Sequence, residues 1–231
     1  MKPIQFIDNL SFSVDGYFTA IGSSGRSSSI FMRQGDLDAA CAVYSLMMML
    51  IFNRRVTRRA LITRENKPGY TSIMRLQDEF IGSLPGLYKD GYFFNDLSDK
   101  LRTSFKKVAT ATTFSTISDR EDYVSKQELN NKILETLKSG FPVQIGYTYK
   151  GGESGHSVVA IGFQDYHEAG FLRLFCLDPG HELNSLAFWN NIIDVNLNIN
   201  SRIKYQDCSH ADIKYLNTIK VDEILIIDQK E

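Results

Sequence analysis

A chain of 231 residues, 43% hydrophobic and 23% charged, can bury a substantial core, and this balance excludes wholesale disorder. Lys and Arg number 26 against 27 Asp and Glu, a formal net charge of −1, which excludes a global electrostatic pull toward nucleic acid or anionic membrane. The longest apolar run, Leu46 to Phe52, is far short of the roughly 20 residues that cross a bilayer, and Asp8, Asn9 and Asp15 break up the N-terminal apolar residues as no secretory signal does.

Neither membrane nor nucleic acid is therefore expected as a partner. Three widely spaced cysteines, Cys41, Cys176 and Cys208, are an odd number that argues against a disulfide scaffold and for a reducing, cytoplasmic compartment. The length suits one globular unit over 1–231.

In chain order, a helical reading begins after Asp38, a good N-cap that places Ala39, Ala40 and Cys41 in the first turn of an apolar helix. Met47, Met48 and Met49 fill the core beneath that helix. A basic stretch with Arg54, Arg55, Arg58, Arg59 and Arg64 follows. It reads as a solvated helix C-terminus, and as the candidate contact for an acidic partner. The segments TSIMRLQDEFIGSL and FNDLSDKLRTSF carry helical apolar spacing. The Thr- and Ser-rich stretch from Ala109 to Asp122 reads as a short strand and loop joining two halves.

Ser125 with Glu128 forms a capping-box pattern opening a helix that stops at Gly140. The strands PVQIGYTYK, HSVVAIGF, FLRLFCLD, FWNNIIDVNLNI and VDEILIID then follow, separated by Gly, Asn and Asp clusters. Helices first and strands second predict an α+β arrangement: a helical lobe over about 34–108 packed on an antiparallel sheet lobe over about 109–231, with a substrate cleft between them.

Cys41 is the first candidate for chemistry, because free N–H groups and the positive end of a helix dipole stabilise a thiolate in a first turn. Asp38 opposes that charge, so a histidine partner is required. His156 is the candidate. If HSVVAIGF and FLRLFCLD pair as a hairpin with Phe163 facing Phe171, antiparallel register puts Asp178 opposite His156 on the same face. A slip of one residue would separate them. No Cys-x-x-Cys pair or ligand spacing around Cys208 and His210 suggests zinc, so neither a metal nor a cofactor is expected.

Gln34 ahead of a cysteine that opens an apolar helix, GHSVVAIGF far downstream and LDPG closing the next strand resemble a papain-like cysteine peptidase. Within that fold the chain is most similar to the bacteriocin-processing, double-glycine-leader type. The helix and proline in LETLKSGFPVQIGY fit the same resemblance. It implies a two-lobed papain-like fold, with Cys41 as nucleophile, His156 as base, Asp178 orienting the base and Gln34 holding the oxyanion. A protein or peptide would be the substrate.

Two features depart from the family pattern. Gln34 stands one residue further from the cysteine than is usual, so the oxyanion loop must bulge or pass its role on, and Ala42 replaces a common glycine. Glutamine deamidation and acyl transfer use the same apparatus, and a non-catalytic module that binds a peptide in the cleft is the alternative of a different class.

Overall fold

The computed structural model describes residues 2–8, 10–14, 17–21, 25–34, 40–62, 71–80, 92–152, 154–183, 187–197, 206–210 and 217–229. Asp38, Ala39 and Arg64, which the sequence reading used, lie outside the described residues.

The apolar run after Ala40 forms helix α1, Cys41–Phe52, in which every residue from Ser45 to Ile51 is buried along with Ala42 and Val43. A helix that is apolar on all sides can be stable only inside the protein. α1 lies against strands β6 (Val143–Tyr149) and β7 (Gly155–Tyr166), and Phe52 meets Phe18 on its far side. Cys41 is its first residue, and Ala40 occupies the N-cap without a side-chain hydrogen bond. Its far end closes through backbone bonds from Arg54 N to Ile51 O and from Arg55 N to Leu50 O, the Schellman pattern.

That pattern needs a left-handed residue, and Arg54 supplies it at φ 56° where glycine is usual. Arg54→Gly is therefore expected to stabilise the protein by about 1 kcal/mol, seen as a thermal midpoint a few degrees higher.

Further along, α2 (Arg58–Ile62) packs on α3 (Ser72–Phe80), and α4 (Phe94–Ser104) packs on β5 (Ala111–Ser115). Helix α5, Lys126–Lys138, begins at Ser125, whose hydroxyl accepts the Glu128 N–H, and ends before Gly140 at φ 82°.

The remaining strands of the large sheet are β8 (Phe171–Leu177), β9 (Asn191–Asn196), β10 (Gln206–His210) and β11 (Asn217–Ile227). Neighbours pair antiparallel in the order β7-β6-β11-β10-β9-β8, and β8 pairs back to β7. Six strands thus close into a barrel. Strand β1 (Gln5–Phe6) extends it along β7, and β5 extends it along β11. Strands β2 (Leu10–Phe12), β3 (Phe18–Ile21) and β4 (Ser27–Ser29) make a separate three-stranded sheet.

This architecture corrects the two-lobed expectation. The protein is mostly β around a closed barrel with few helices, and no helical lobe packs on a sheet lobe. The reason lies in β11, whose eleven residues pair with β10, β6 and β5 in turn and draw the sheet into a ring with no edge left between its ends. The helices lie around that ring instead of forming a second body. Strands β6 and β7 are buried along most of their length, the continuous apolar pattern of strands covered on both faces. Among the described residues, no helix is long and apolar enough to cross a membrane.

Candidate active site

His156 is the second residue of β7, and Asp178 follows the last residue of β8. The hairpin between them does not have the expected register. Phe163 pairs with Leu174, three residues beyond Phe171, and a bulge between Ala160 and Gly162 takes back one residue so that Val159 pairs with Leu177. The net displacement near His156 is therefore two residues. Strand side chains alternate with period two, so an even displacement keeps the same face. The bulge falls where β1 crosses, and Gly162 permits that approach: a Cβ there would lie 2.8 Å from the Gln5 carbonyl oxygen.

The outcome is a contact of 2.6 Å between His156 Nε2 and Asp178 Oδ1. The Asp178 carboxylate is fully buried and accepts further hydrogen bonds from the Gly180 N–H at 2.8 Å and from Asn191 Nδ2 at 2.8 Å. Asn190 fixes the turn itself. Its Oδ1 accepts the Asp178 N–H at 2.6 Å, and its Nδ2 donates to the carbonyls of Asp178 and His181 at 2.8 and 2.9 Å. A side chain at position 180 would press on the pair, since a Cβ there would sit 3.3 Å from His156 Cε1.

The Cys41 thiol lies close enough to the His156 ring to act on its charge. Because Nε2 faces Asp178, Nδ1 is the ring nitrogen left for the sulfur. Burial disfavours the His156 imidazolium. The hydrogen bonds and charges of Asp178 and Cys41 outweigh it and raise the pKa from 6.5 to about 10.

Cys41 is half-buried, whereas Cys176 and Cys208 are buried. Burial pushes the Cys176 thiol well above its ordinary value and Cys208 up to about 12, which makes both poor nucleophiles. The front of α1 is held to the strand that carries His156. Gln144 Nε2 donates to the Ala42 carbonyl at 2.9 Å and to Ser157 Oγ at 3.0 Å, and Ser45 Oγ donates to the Ser157 carbonyl at 3.1 Å. Tyr147 pairs with His156 across β6 and β7 and meets its ring edge-on at 5.6 Å.

Gln34 reaches the same region through its backbone, whose N–H donates to Pro179 O at 2.9 Å. Its side-chain Oε1 is buried, with no hydrogen-bond partner among the described residues. All four residues singled out in the sequence thus converge on one end of β7.

Asn190, Asn191, Gln144 and Tyr147 escaped the sequence reading. The available signal was polarity inside apolar runs, Gln144 in PVQIGY and the Asn pair ahead of IIDV, since a buried polar residue is more informative than a buried apolar one. Of the arginines, Arg55 donates to the Asp228 carbonyl at 2.6 Å, Arg54 is exposed and Arg58 opens α2. Cys208 contacts Asn191 and Tyr147, the His210 side chain lies outside the described residues, and no metal-binding cluster of His, Cys, Asp or Glu occurs among the described residues.

No curated protein matches the sequence. A crystal structure of UfSP from C. elegans aligns with a TM-score of 0.45 and 12% identity, covering 100% of this chain and 35% of that one. The present chain thus spans about a third of that protein's length. The model of the Peptidase_C39 like family matches residues 29–195, well over half of the chain and a span that includes Gln34, Cys41, His156 and Asp178, and the chain belongs to that family.

Proposed function

We propose that the protein is a cysteine peptidase in which Cys41 attacks the carbonyl carbon of a peptide bond. The observation that carries this reading is the contact of 2.6 Å between His156 Nε2 and the buried Asp178 carboxylate, with the half-buried thiol at the first residue of α1 near enough to act on the same ring. His156 holds the proton taken from the thiol, and the imidazolium beside the thiolate is stabilised by the buried carboxylate. Attack forms a C–S bond and a tetrahedral oxyanion. The Cys41 N–H, free at a helix start, and the Gln34 side-chain amide donate to that oxygen.

Collapse breaks the C–N bond as His156 protonates the leaving amine, giving a thioester on Cys41. A water molecule, losing its proton to His156, then hydrolyses the thioester and restores the thiol. Asp178 holds the ring in the tautomer this sequence requires.

The substrate class that follows from the sequence resemblance is a leader peptide ending in a double glycine. The exposed Arg54 side chain offers an acidic segment of such a substrate a place to rest. Glutamine deamidation would use the same steps on a side-chain amide. Incubation of double-glycine and glutamine-containing peptides with the wild type and with Cys41→Ser, read by mass spectrometry, separates the two. Fragments cut at the backbone by the wild type alone support peptidase action. Intact peptides bearing only an amide-to-acid mass change overturn it in favour of deamidation.

A further inference from the structure

Behind Asp178 the barrel interior holds a chain of polar side chains that the mechanism above leaves unused. Asn191 is 1% exposed at the start of β9, and its Nδ2 lies 2.8 Å from Asp178 Oδ2 and 3.5 Å from the Tyr147 hydroxyl. Its Oδ1 lies 3.3 Å from the sulfur of Cys208, a fully buried residue on β10. An amide turned the other way would aim its carbonyl oxygen at a buried carboxylate and its NH2 at a thiol hydrogen. Two donors would then face each other at one end and two acceptors at the other. Cys208 is thus a donor that holds the amide in the orientation Asp178 needs.

We infer that Asn191, with its amide set by the Cys208 thiol, is a positioning residue that keeps Asp178 ionised and thereby sustains the imidazolium beside Cys41. The inference rests on the peptidase reading of Cys41, His156 and Asp178.

Asp178 is a fully buried carboxylate, and burial favours its neutral form unless donors stabilise the charge. Among the described residues, the imidazole and the Gly180 N–H on Oδ1 and the Asn191 amide on Oδ2 supply this. Removing the amide favours the protonated carboxyl group, which loses its pull on the imidazolium. His156 is then less able to hold a proton beside the sulfur, and alkylation at Cys41 slows.

The other titratable groups facing this cluster stay neutral there. Burial raises Tyr147 and Cys176 well above their ordinary values, Tyr149 to about 12 and Cys208 to about 12. A pH profile of Cys41 reactivity therefore reads the Cys41–His156–Asp178 cluster and not its surroundings.

The test is the rate of iodoacetamide alkylation at Cys41, mapped by peptide and followed from neutral to alkaline pH in wild type, Asn191→Leu, Cys208→Ala and Cys208→Ser. Asn191→Leu is expected to slow labelling near neutral pH about tenfold, the usual scale for losing one charge-assisted hydrogen bond. The deficit is expected to close above about pH 10, where a thiol in water is ionised without help. Cys208→Ala is expected to slow labelling in the same pH range, and Cys208→Ser, which keeps a donor, to restore the rate relative to Cys208→Ala.

Wild-type labelling that depends on His156 but is unchanged in Asn191→Leu overturns the inference while the peptidase reading stands. A deficit that persists unchanged at alkaline pH also overturns it, since that is the mark of a displaced or blocked sulfur. Should Asn191→Leu lose its cooperative thermal transition, the Cys208 pair decides, and equal rates for alanine and serine overturn the inference. Wild-type labelling that is indifferent to His156→Ala overturns the peptidase reading itself, and this inference with it.

Discussion

Replacing His156 with alanine is expected to lower peptide hydrolysis by about 10⁴-fold or more, measured as kcat/KM on any peptide the wild type cleaves. The size follows from how many steps use one ring. It takes the thiol proton, protonates the leaving amine and accepts a proton from the attacking water, so its loss stalls both acylation and deacylation. The substitution also removes one of the donors, beside the Gly180 N–H and the Asn191 amide, that stabilise the buried Asp178 carboxylate.

Stability carries its own pH signature. The folded pKa of His156 is raised from 6.5 to about 10, so its contribution is complete below about pH 6.5 and is lost as the pH rises through about 10. The gap in unfolding free energy between wild type and His156→Ala should therefore narrow from acid to alkaline pH.

Asp178 is the second position where a large effect is expected, and its two variants separate orientation from charge. Asp178→Ala leaves the His156 ring, the Gly180 N–H and the Asn191 amide pointing at an empty acceptor in a fully buried site, a loss of about 3–5 kcal/mol of stability. Asp178→Asn preserves shape and one acceptor oxygen but removes the charge that supports the imidazolium. Its rate is expected to fall about 10²- to 10⁴-fold with a much smaller stability cost. Circular dichroism melts run beside the kinetics distinguish the two: the alanine variant melts early, and the asparagine variant folds but cleaves slowly.

The placement of the candidate residues was more legible than the fold because they sit at ends of elements with strong local signals. An apolar run of helical length after a cysteine, a histidine opening an apolar strand and Asp-Pro-Gly closing the next all survive without long-range information. The register argument reached the His156 and Asp178 pair from Phe163 and Phe171, residues that do not face each other. It succeeded because a three-residue displacement in the hairpin and a one-residue bulge leave an even offset. A bulge is invisible to a count of loop residues, and Gly162, which permits it, looked like any glycine in a strand.

Barrel closure was not legible. It depends on β11 returning to β6, a pairing between segments far apart in the chain and not set by local pattern. Strands β1 to β4 are two to four residues long, too short for alternation to show, and Gln206–His210 is a polar segment with no strand signature. Asn190 and Asn191 were read only as part of the strand segment FWNNIIDVNLNI. Here they are buried and hydrogen-bonded to the Asp178 turn.

The central claim is that the fold gives one thiol of three a base. Competitive alkylation by iodoacetamide near neutral pH, with each cysteine quantified in wild type and in His156→Ala, tests it without knowledge of a substrate. The account predicts fast labelling confined to Cys41 in the wild type and its loss in the variant, with Cys176 and Cys208 unreactive in both. Uniformly slow labelling of all three cysteines, unchanged by loss of the imidazole, would contradict it.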